Sequence, residues 1–347
     1  MAKTKTAKTI LPAISIVIPT LNSGSVLEKC LKSISIQKYP KSKIEIIIAD
    51  GGSMDQTLNL SNKFGAKIVQ NKLKTGEAGK AIGVKSANGD VIALIDSDNI
   101  LPNNHWFTDM VKPFSDKEII ATEPIKYTYR KSDPCLTRYF ALLGMNDPIC
   151  LFIGNYDRYS YITDRWTGLH FSEKIKGGHR KVTLDHEPIP TIGANGTIFR
   201  ADILKSAVKS ANYLFDIDIL IKIIREKGNV KIAKVHTGIV HTFVENDAGK
   251  FFQKQIRRIN DMSFHKSKKN RDIDWEKSFM KGILTFVFSC VLVFPILSQT
   301  LKGFLRKPDP AWIFHPIACY STLFIYIFGW LKGKIAPAES NRINWKQ

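Results

Sequence analysis

The sequence is short of cysteine, and the cysteines it has are not arranged in pairs. Its 347 residues include five, with no C-x-x-C spacing among them: Cys30, Cys135, Cys150, Cys290 and Cys319. An odd, scattered set argues against a zinc site or a disulfide framework and fits a reducing compartment. The N-terminal "MAKTKTAKTILPA" lacks the apolar stretch of a signal peptide, which predicts that the globular part stays in the cytoplasm.

Acidic residues are also scarce relative to basic ones. The chain has 31 Asp+Glu against 51 Lys+Arg, which gives a net charge of +20. A charge of this size bears on partners rather than on fold, and it suits nucleic acid, an anionic membrane surface or phosphorylated small molecules. No helix-turn-helix, zinc-finger or RNP pattern accompanies it, so we expect no nucleic-acid partner. A basic nucleic-acid binder or a scaffold is the non-enzymatic alternative.

After a basic arm over residues 1–12, the sequence alternates strands with helices. Apolar runs of strand length occur at "ISIVIP", "IEIIIAD", "AKIVQ" and "VIALID", and segments with helical spacing separate them. This order predicts an α/β fold with a Rossmann-like, mostly parallel sheet covered by helices on both faces. After residue 100 the pattern loosens, but "YLFDIDILIKIIREKGNVKIAKV" predicts a further helix, ended by Gly228, and a strand.

Three aspartates fall where predicted strands end. Asp50 ends the second strand, and Asp96 and Asp98 follow the apolar run "VIALI". Ligands of parallel α/β sheets bind outside the carboxyl ends of the strands. Where the chain turns, both carboxylates of the D-x-D can converge on one Mg²⁺ or Mn²⁺, which would neutralise them and polarise a diphosphate. The alternative is that each acid is a turn residue or a helix cap.

The segments "IPTLNSGSVLEKCLKSI", "IIIADGGSMDQT" and "KTGEAGKAIGVKSANGDVIALIDSDN" resemble the N-terminal half of family 2 glycosyltransferases with the GT-A fold. The resemblance covers about residues 12–260. It implies a nucleotide-sugar donor, UDP- or GDP-linked, and a divalent cation, Mn²⁺ or Mg²⁺, as cofactor. It implies donor-binding roles for Pro19, Thr20, Asn22, Asp50, Lys80, Asp96 and Asp98. Asp98 would be the principal metal ligand and Asp96 would contact the ribose or the metal. The sequence departs from the family at Ser23, where an acid often occurs.

The second half is expected to supply a base. Inverting transfer needs a carboxylate that deprotonates an acceptor hydroxyl. The segment "LFDIDIL" offers Asp218, with Asp216 as the alternative, although one of them can instead cap the following helix. In some GT-A enzymes a histidine placed like His241, after "GIV", touches the metal or the diphosphate; the alternative is a structural histidine.

Acceptor contacts are expected from three other segments. The candidate residues are Asn195, Gly196, Gln255 and Arg258. The last two belong to "QIRR", which is similar to the Q-x-x-R-W element of processive polysaccharide synthases but has Ile259 in place of the tryptophan. We therefore do not expect processivity. The basic, aromatic stretch 155–181 is a candidate acceptor-binding loop, with a surface flap as the alternative.

The C-terminal part, residues 261–347, differs from the predicted catalytic domain, 13–260. Two segments of about twenty residues, 282–301 and 312–331, carry no charge, and each is long enough to span a bilayer. The loop between them, "KGFLRKPDP", has three basic residues and one acid, and translocating it would break the positive-inside tendency. The sequence favours interfacial or re-entrant helices over a spanning hairpin; two buried helices of a soluble protein are the remaining alternative.

Together these features predict a glycosyltransferase bound to anionic lipids at the cytoplasmic face of a membrane. Its halves would be a nucleotide-sugar-binding half, 13–100, and an acceptor half, 101–260. The acceptor would be lipid-linked, or another glycan. The alternative is a polyprenyl-phosphate hexose synthase, whose acceptor is the lipid phosphate itself.

Overall fold

The computed structural model of the protein describes residues 11–193, 195–208, 213–214, 216–267 and 275–335, without the side chains of residues 216, 265 and 275–278. Residues 1–10 of the predicted basic arm lie outside this description, and so do residues 268–274 of the basic segment before the C-terminal helices.

Within the described residues, ten strands form one sheet. They are β1 (Ile14–Thr20), β2 (Ile44–Asp50), β3 (Lys67–Gln70), β4 (Val91–Leu94), β5 (Asn99–Ile100), β6 (Ile119–Tyr127), β7 (Ser172–Lys176), β8 (His179–Leu184), β9 (Thr197–Arg200) and β10 (Val230–His241). The same part of the chain contains twelve α-helices. They are α1 (Gly24–Ser35), α2 (Thr57–Lys63), α3 (Gly76–Ser86), α4 (Trp106–Val111), α5 (Cys135–Leu143), α6 (Ile149–Ile153), α7 (Ala201–Val208), α8 (Asp216–Lys227), α9 (Ala248–Ser267), α10 (Trp275–Leu292), α11 (Phe294–Arg306) and α12 (Phe314–Ile335).

The strand order is β3-β2-β1-β4-β9-β6-β10-β8-β7, with β5 paired to the end of β10. The first four strands are parallel, as the sequence predicts. The second half is mixed, because β9 runs antiparallel to both β4 and β6. At the far edge β7 and β8 form a hairpin that turns at Gly177-Gly178.

Helices cover both faces of the sheet, which explains why its central strands read as continuous apolar runs. Alternate residues of β1 face opposite sides: Ile16 and Ile18 belong to one buried cluster, and Val17 belongs to the other. The first cluster includes Leu31 of α1, and the second includes Val84 of α3. Because both faces are buried, neither set of positions on these strands needs polar residues. The predicted α/β fold with a helix-flanked sheet is confirmed.

The helix predicted within "YLFDIDILIKIIREKG" is α8, and its apolar face is buried as expected. Ile219, Ile223 and Ile224 are each less than one-tenth exposed. Gly228 follows the last helical residue with a φ of +78°, a left-handed conformation that glycine adopts without steric cost.

The C-terminal helices pack on the rest of the protein. Trp312 and Ala318 share a buried cluster with Tyr139 and Phe251. The apolar segment predicted over 282–301 is broken at Val293, where α10 and α11 meet at an angle of 94°. By length and composition, Pro310–Ile335 is the one described helix apolar enough to cross a membrane unaided, and the bent α10–α11 pair passes the same test together.

Candidate active site

The candidate site lies where β1, β2 and β4 end. The loops after β1 and β2 are tied to each other by hydrogen bonds. Asn22, with a φ of +51°, accepts a hydrogen bond through its side-chain oxygen from the backbone N–H of Met54, at 2.9 Å. Asp55 accepts one from the backbone N–H of Gly24, also at 2.9 Å. Asn22 therefore shapes this loop pair. Pro19 lies beside Gly79 of α3, where an added Cβ would approach it to 2.8 Å.

The side chain of Asp50 accepts four hydrogen bonds from the residues around it. One carboxylate oxygen accepts hydrogen bonds from the hydroxyls of Thr20 (2.9 Å) and Ser53 (2.5 Å). The other accepts from the backbone N–H groups of Gly52 and Ser53, both at 2.8 Å. A carboxylate has about four lone-pair sites, so protein donors fill them all. This geometry supports a role for Asp50 and Thr20 in holding the loop, and their expected donor-binding roles stay predictions.

The D-x-D turn brings its second carboxylate to the end of β10. Oδ2 of Asp98 lies 3.3 Å from Nε2 of His241 and 3.7 Å from Nζ of Lys254. The backbone carbonyl of Asp98 accepts hydrogen bonds from the N–H and the hydroxyl of Thr242, both at 3.1 Å. Strand β5, which follows the turn, pairs Asn99 with His241. The pairing of β5 with β10 therefore positions His241 against Asp98.

The two acids of the turn differ in their electrostatic surroundings. Burial opposes ionisation of Asp98, but the neighbouring His241 and Lys254 outweigh it and lower the pKa of Asp98 to about 2. Burial raises the pKa of Asp96, and the nearby charge of Lys80 opposes that rise. Lys80 is itself buried on α3. Each carboxylate of the turn thus has a positively charged side chain nearby, Lys80 for Asp96 and Lys254 for Asp98. Such charges stabilise negative groups bound in a site.

Asn195 and Gly196 lie beside this turn. The side-chain nitrogen of Asn99 donates to the side-chain oxygen of Asn195 at 3.0 Å, and the Asn195 nitrogen faces the hydroxyl of Tyr127 at 3.3 Å. Gly196 has a φ of +83°, and a Cβ there would lie 2.8 Å from the side chain of Ile239. A glycine is therefore needed at this close approach.

Gln255 and Arg258 lie in the packing between α9 and α12 rather than at the D-x-D turn. Gln255 is fully buried and donates to the hydroxyl of Thr322 at 3.0 Å. Arg258 donates to the side chain of Gln255 at 2.7 Å and to the carbonyl of Asn146 at 2.9 Å. Their geometry supports a role in holding α9, and their expected acceptor contacts stay predictions.

The candidate base lies near the start of α8. Asp218 is 6% exposed in the first turn of this helix, and just before the helix the N–H of Leu214 donates to the carbonyl of Glu77 at the start of α3, at 2.9 Å. Asp216 begins the helix, but its side chain lies outside the described part. The choice between Asp218 and Asp216 as the base stays a prediction.

The residues of the turn fit a divalent cation that takes other ligands from a bound diphosphate. Oδ1 of Asp98 and Nδ1 of His241 are buried and have no hydrogen-bond partner in the described part of the chain. Among the described residues, no three Asp, Glu, His or Cys side chains converge to hold a metal by themselves. Mg²⁺-type sites with one or two carboxylates, completed by water and substrate phosphates, have this composition.

Sequence reasoning missed a buried charged cluster beside the site. We call Glu123, Asp157, Arg158 and Lys234 the buried quartet. Arg158 contacts the carboxylates of Glu123 and Asp157, each at 2.5 Å, and Lys234 contacts Glu123 at 2.5 Å. Arg158 also donates to the carbonyl of Asn195 at 2.9 Å. The quartet thereby supports the turn that carries Asn195.

The sheet order and the acidic turn at its carboxyl edge define the class of fold, which is GT-A. The structure is similar to that of a mannosyltransferase, PcManGT from Pyrobaculum calidifontis, solved with GDP-Man and Mn²⁺. The match covers 92% of this chain and 88% of the mannosyltransferase chain. That match has a TM-score of 0.51 and 15% sequence identity, so it bears on the fold. The chain belongs to glycosyl transferase family 2, whose family model matches residues 15–206.

Two curated relatives share parts of the sequence. The chain is 26% identical over 142 residues to glycosyltransferase AglE of Haloferax volcanii, a match that covers 39% of this chain and 46% of the relative. It is 40% identical over 88 residues to the dolichyl N-acetyl-alpha-D-glucosaminyl phosphate 3-beta-D-2,3-diacetamido-2,3-dideoxy-beta-D-glucuronosyltransferase of Methanococcus voltae, covering 23% of this chain and 27% of the relative. The chain therefore spans less than half the length of either relative.

Proposed function

We propose that the protein is an inverting, metal-dependent glycosyltransferase. It would move a hexose from a UDP- or GDP-linked donor to a lipid-linked or other glycan acceptor at a membrane. The observation that carries this proposal is the ionised Asp98 carboxylate, with one buried oxygen lacking a partner, beside Asp96 at the carboxyl edge of a family 2 sheet. The names of the relatives, one of which acts on a dolichyl-phosphate-linked sugar, support a lipid-linked acceptor.

The residues of the site would divide the work as follows. Asp98, with Asp96 and His241, would hold the cation, which when bound supplies positive charge to the leaving diphosphate. Lys80 would add charge on the donor side, near Asp96. Asp218 would accept the proton of the acceptor hydroxyl as that oxygen attacks the sugar. No acid is required for the leaving group, because a nucleoside diphosphate departs as an anion.

A polyprenyl-phosphate hexose synthase is the second candidate. Its acceptor is a phosphate that is already ionised, so Asp218 would position the acceptor without taking a proton. Replacing Asp218 with Asn separates the two cases. We expect the variant to keep donor binding in both, but to lose transfer to a hydroxyl and to retain much of any transfer to polyprenyl phosphate.

Donor binding is tested first. Thermal shifts with UDP-, GDP- and dTDP-sugars in Mn²⁺ should give stabilisation by one nucleotide class, and EDTA should remove it. Asp98→Asn should abolish the shift and the transfer of sugar, whereas the control Asp202→Asn, an exposed acid on α7, should keep both. Sugar transfer by Asp98→Asn at the wild-type rate would refute the metal role.

The membrane part of the proposal rests on exposed apolar side chains of the C-terminal helices. Strongly exposed apolar side chains on α10, α11 and α12 include Phe288, Val291, Leu292, Phe294, Leu305, Phe324, Phe328 and Ile335. An apolar surface of this kind, next to basic residues, suits an anionic lipid surface. The proposed localisation is the cytoplasmic face.

The packing of α12 favours an interfacial position over a spanning one. α12 lies along α9: Thr322 contacts Gln255, and Gly329 approaches Ile259. A spanning α12 would draw α9 and its basic residues into the bilayer, at about 2.5–3.5 kcal/mol for each charge at the centre. With α12 in the interface, α9 stays on the aqueous side.

Vesicle flotation tests the lipid surface. Phe294, at the corner, is 75% exposed, and Ile175 on the β7 edge is 67% exposed. Phe294→Glu should weaken binding to phosphatidylglycerol vesicles at least several-fold, and Ile175→Glu should leave it unchanged. Equal binding by both variants, or no binding by the wild-type protein, would contradict the proposed surface.

A further inference from the structure

Lys254 is a basic residue of the site to which nothing in the sequence patterns gives a role. It extends from α9, a helix remote in sequence from the donor half, and its Nζ lies 3.7 Å from Oδ2 of Asp98. That separation is too long for a hydrogen bond but is close enough for a strong electrostatic interaction. The side chain is 17% exposed, so its charge acts in a partly desolvated setting.

Two contacts fix the position of the Lys254 ammonium group. It donates a hydrogen bond to the carbonyl of Phe243, and it lies 4.3 Å from the centre of the Phe243 ring. An ammonium has three N–H donors, and the Phe243 carbonyl takes one of them. The remaining donors are on a side chain held beside the D-x-D turn.

The balance of charge shows what Lys254 could do there. Asp96 and Asp98 together carry two negative charges when both are ionised, which one divalent cation neutralises. A diphosphate bound to the same cation adds further negative charge, and Lys80 and Lys254 are the lysines whose charges act on this acid pair. If Asp98 holds a cation, the negatively charged group left for Lys254 to bind would be the diphosphate.

We propose that Lys254 binds the diphosphate of the donor and holds it as it leaves, an inference that rests on the proposed function. In the transfer, the bond between the sugar carbon and the diphosphate oxygen breaks and its electron pair stays on that oxygen. The acceptor oxygen forms the new bond to the sugar carbon, and where the acceptor is a hydroxyl its proton passes to Asp218, the proposed base. Lys254 remains protonated and donates hydrogen bonds to the departing diphosphate, so it supplies charge and position without giving up a proton.

The position of Lys254 depends on the C-terminal helices. Its neighbour Gln255 is hydrogen-bonded to Thr322 of α12, and Arg258, one turn later, is bonded to Gln255. α12 therefore holds α9 in the register that aims Lys254 at the turn. The donor site is completed by an element outside the segment that the family model matches.

Calorimetric titration of the full chain with UDP and with GDP, in Mn²⁺, tests the proposal. Lys254→Met keeps the length of the side chain and removes its charge. We expect affinity for the diphosphate that binds wild type to fall about 10- to 100-fold, as for loss of a hydrogen bond to a charged group, with affinity for the free nucleoside unchanged. Lys254→Arg should recover most of the loss. The control is Lys250→Met, one turn earlier on α9 and more exposed, which should bind like wild type.

Mn²⁺ binding without nucleotide, followed by electron paramagnetic resonance, separates the alternatives. If Lys254 only neutralises Asp98 until a cation arrives, Lys254→Met will bind Mn²⁺ more tightly and the diphosphate as well as wild type does. That result would overturn the inference alone. A wild-type chain that binds neither UDP nor GDP in Mn²⁺ would overturn the proposed function together with it.

Discussion

Replacing Arg158 with Met should destabilise the protein strongly, because it removes one cation from the buried quartet. Arg158 and Glu123 are almost completely buried. Burial alone would raise the pKa of Glu123, but Arg158 and Lys234 lower it to about 2, so its carboxylate is ionised in the folded protein. Without Arg158 this charge keeps Lys234 as its single buried cationic partner among the described residues, and the carbonyl of Asn195 loses its donor.

Removing one member of a buried ion pair costs about 3–5 kcal/mol. At about 2.1 cal/mol/K per residue, the unfolding entropy of 347 residues is about 0.7 kcal/mol/K, so Arg158→Met should lower the Tm by roughly 4–7 °C. Thermal unfolding by circular dichroism measures it. Arg165→Met, an exposed arginine in the same segment, should change stability by no more than about 0.5 kcal/mol.

The partner variant Glu123→Gln, alone and combined with Arg158→Met, tests whether the two charges act as a pair. In the double variant both charges of the pair are gone. Its loss of stability should therefore fall short of the sum of the single losses by about 1–3 kcal/mol. Additive losses, or an Arg158→Met variant as stable as Arg165→Met, would show that the quartet does not act as a buried ion-pair network.

Three further predictions concern the Asn195 turn, acid stability and the α9–α12 contact. Gly196→Ala should cost about 1–3 kcal/mol in chemical denaturation, because its φ is positive and the new Cβ would meet Ile239 at 2.8 Å. The hydrogen bond from Lys181 lowers the pKa of Asp116 to about 2, so the contribution of Asp116 to stability is present above about pH 4 and lost as the pH falls towards 2. Asp116→Asn should therefore reduce the fall in Tm between these pH values. An unchanged dependence of Tm on pH would contradict this prediction. Gly329→Leu should force α12 away from α9, since even a Cβ at this position would lie 2.4 Å from an α9 side chain. The variant should therefore bind UDP or GDP in Mn²⁺ more weakly. Unaltered binding would show that the packing of α12 does not affect the site.

The parallel half of the fold could be predicted because its signals are local. Strands β1 and β4 are short apolar runs that are almost entirely buried, and β2 is buried over its second half, whereas β3 is a mostly exposed edge strand. The topology of parallel strands brings their carboxyl ends to one edge. Asp50 and Asp98 were therefore placed correctly at that edge by sequence position alone. The β7–β8 hairpin had a local signal as well, since Gly177-Gly178 separates two short strands, but the surrounding aromatic and basic residues favoured a binding loop.

The buried quartet could not be predicted in the same way. The strand "VKIAKV" contains two lysines that the sequence does not distinguish: Lys231 is partly exposed, whereas Lys234 is fully buried. Arg158 lies in the segment expected to bind the acceptor. Which of these lysines is buried depends on the acid that meets it, and Glu123 comes from another strand.

The contacts of α9 could not be predicted from the sequence either, because they too depend on residues of other elements. For α9 this bears directly on the proposed function. A sequence pattern ranks residues by their likeness to known elements, and in "KQIRR" it selected Gln255 and Arg258. In the structure, Gln255 and Arg258 bind α9 to α12 and to Asn146. The residue of α9 that faces Asp98 is Lys254, which no pattern selects. Successive residues of a helix point in directions about 100° apart, so a helix clamped through Gln255 presents Lys254 to a different side. The charge that α9 contributes beside the D-x-D turn thus depends on how α12 packs.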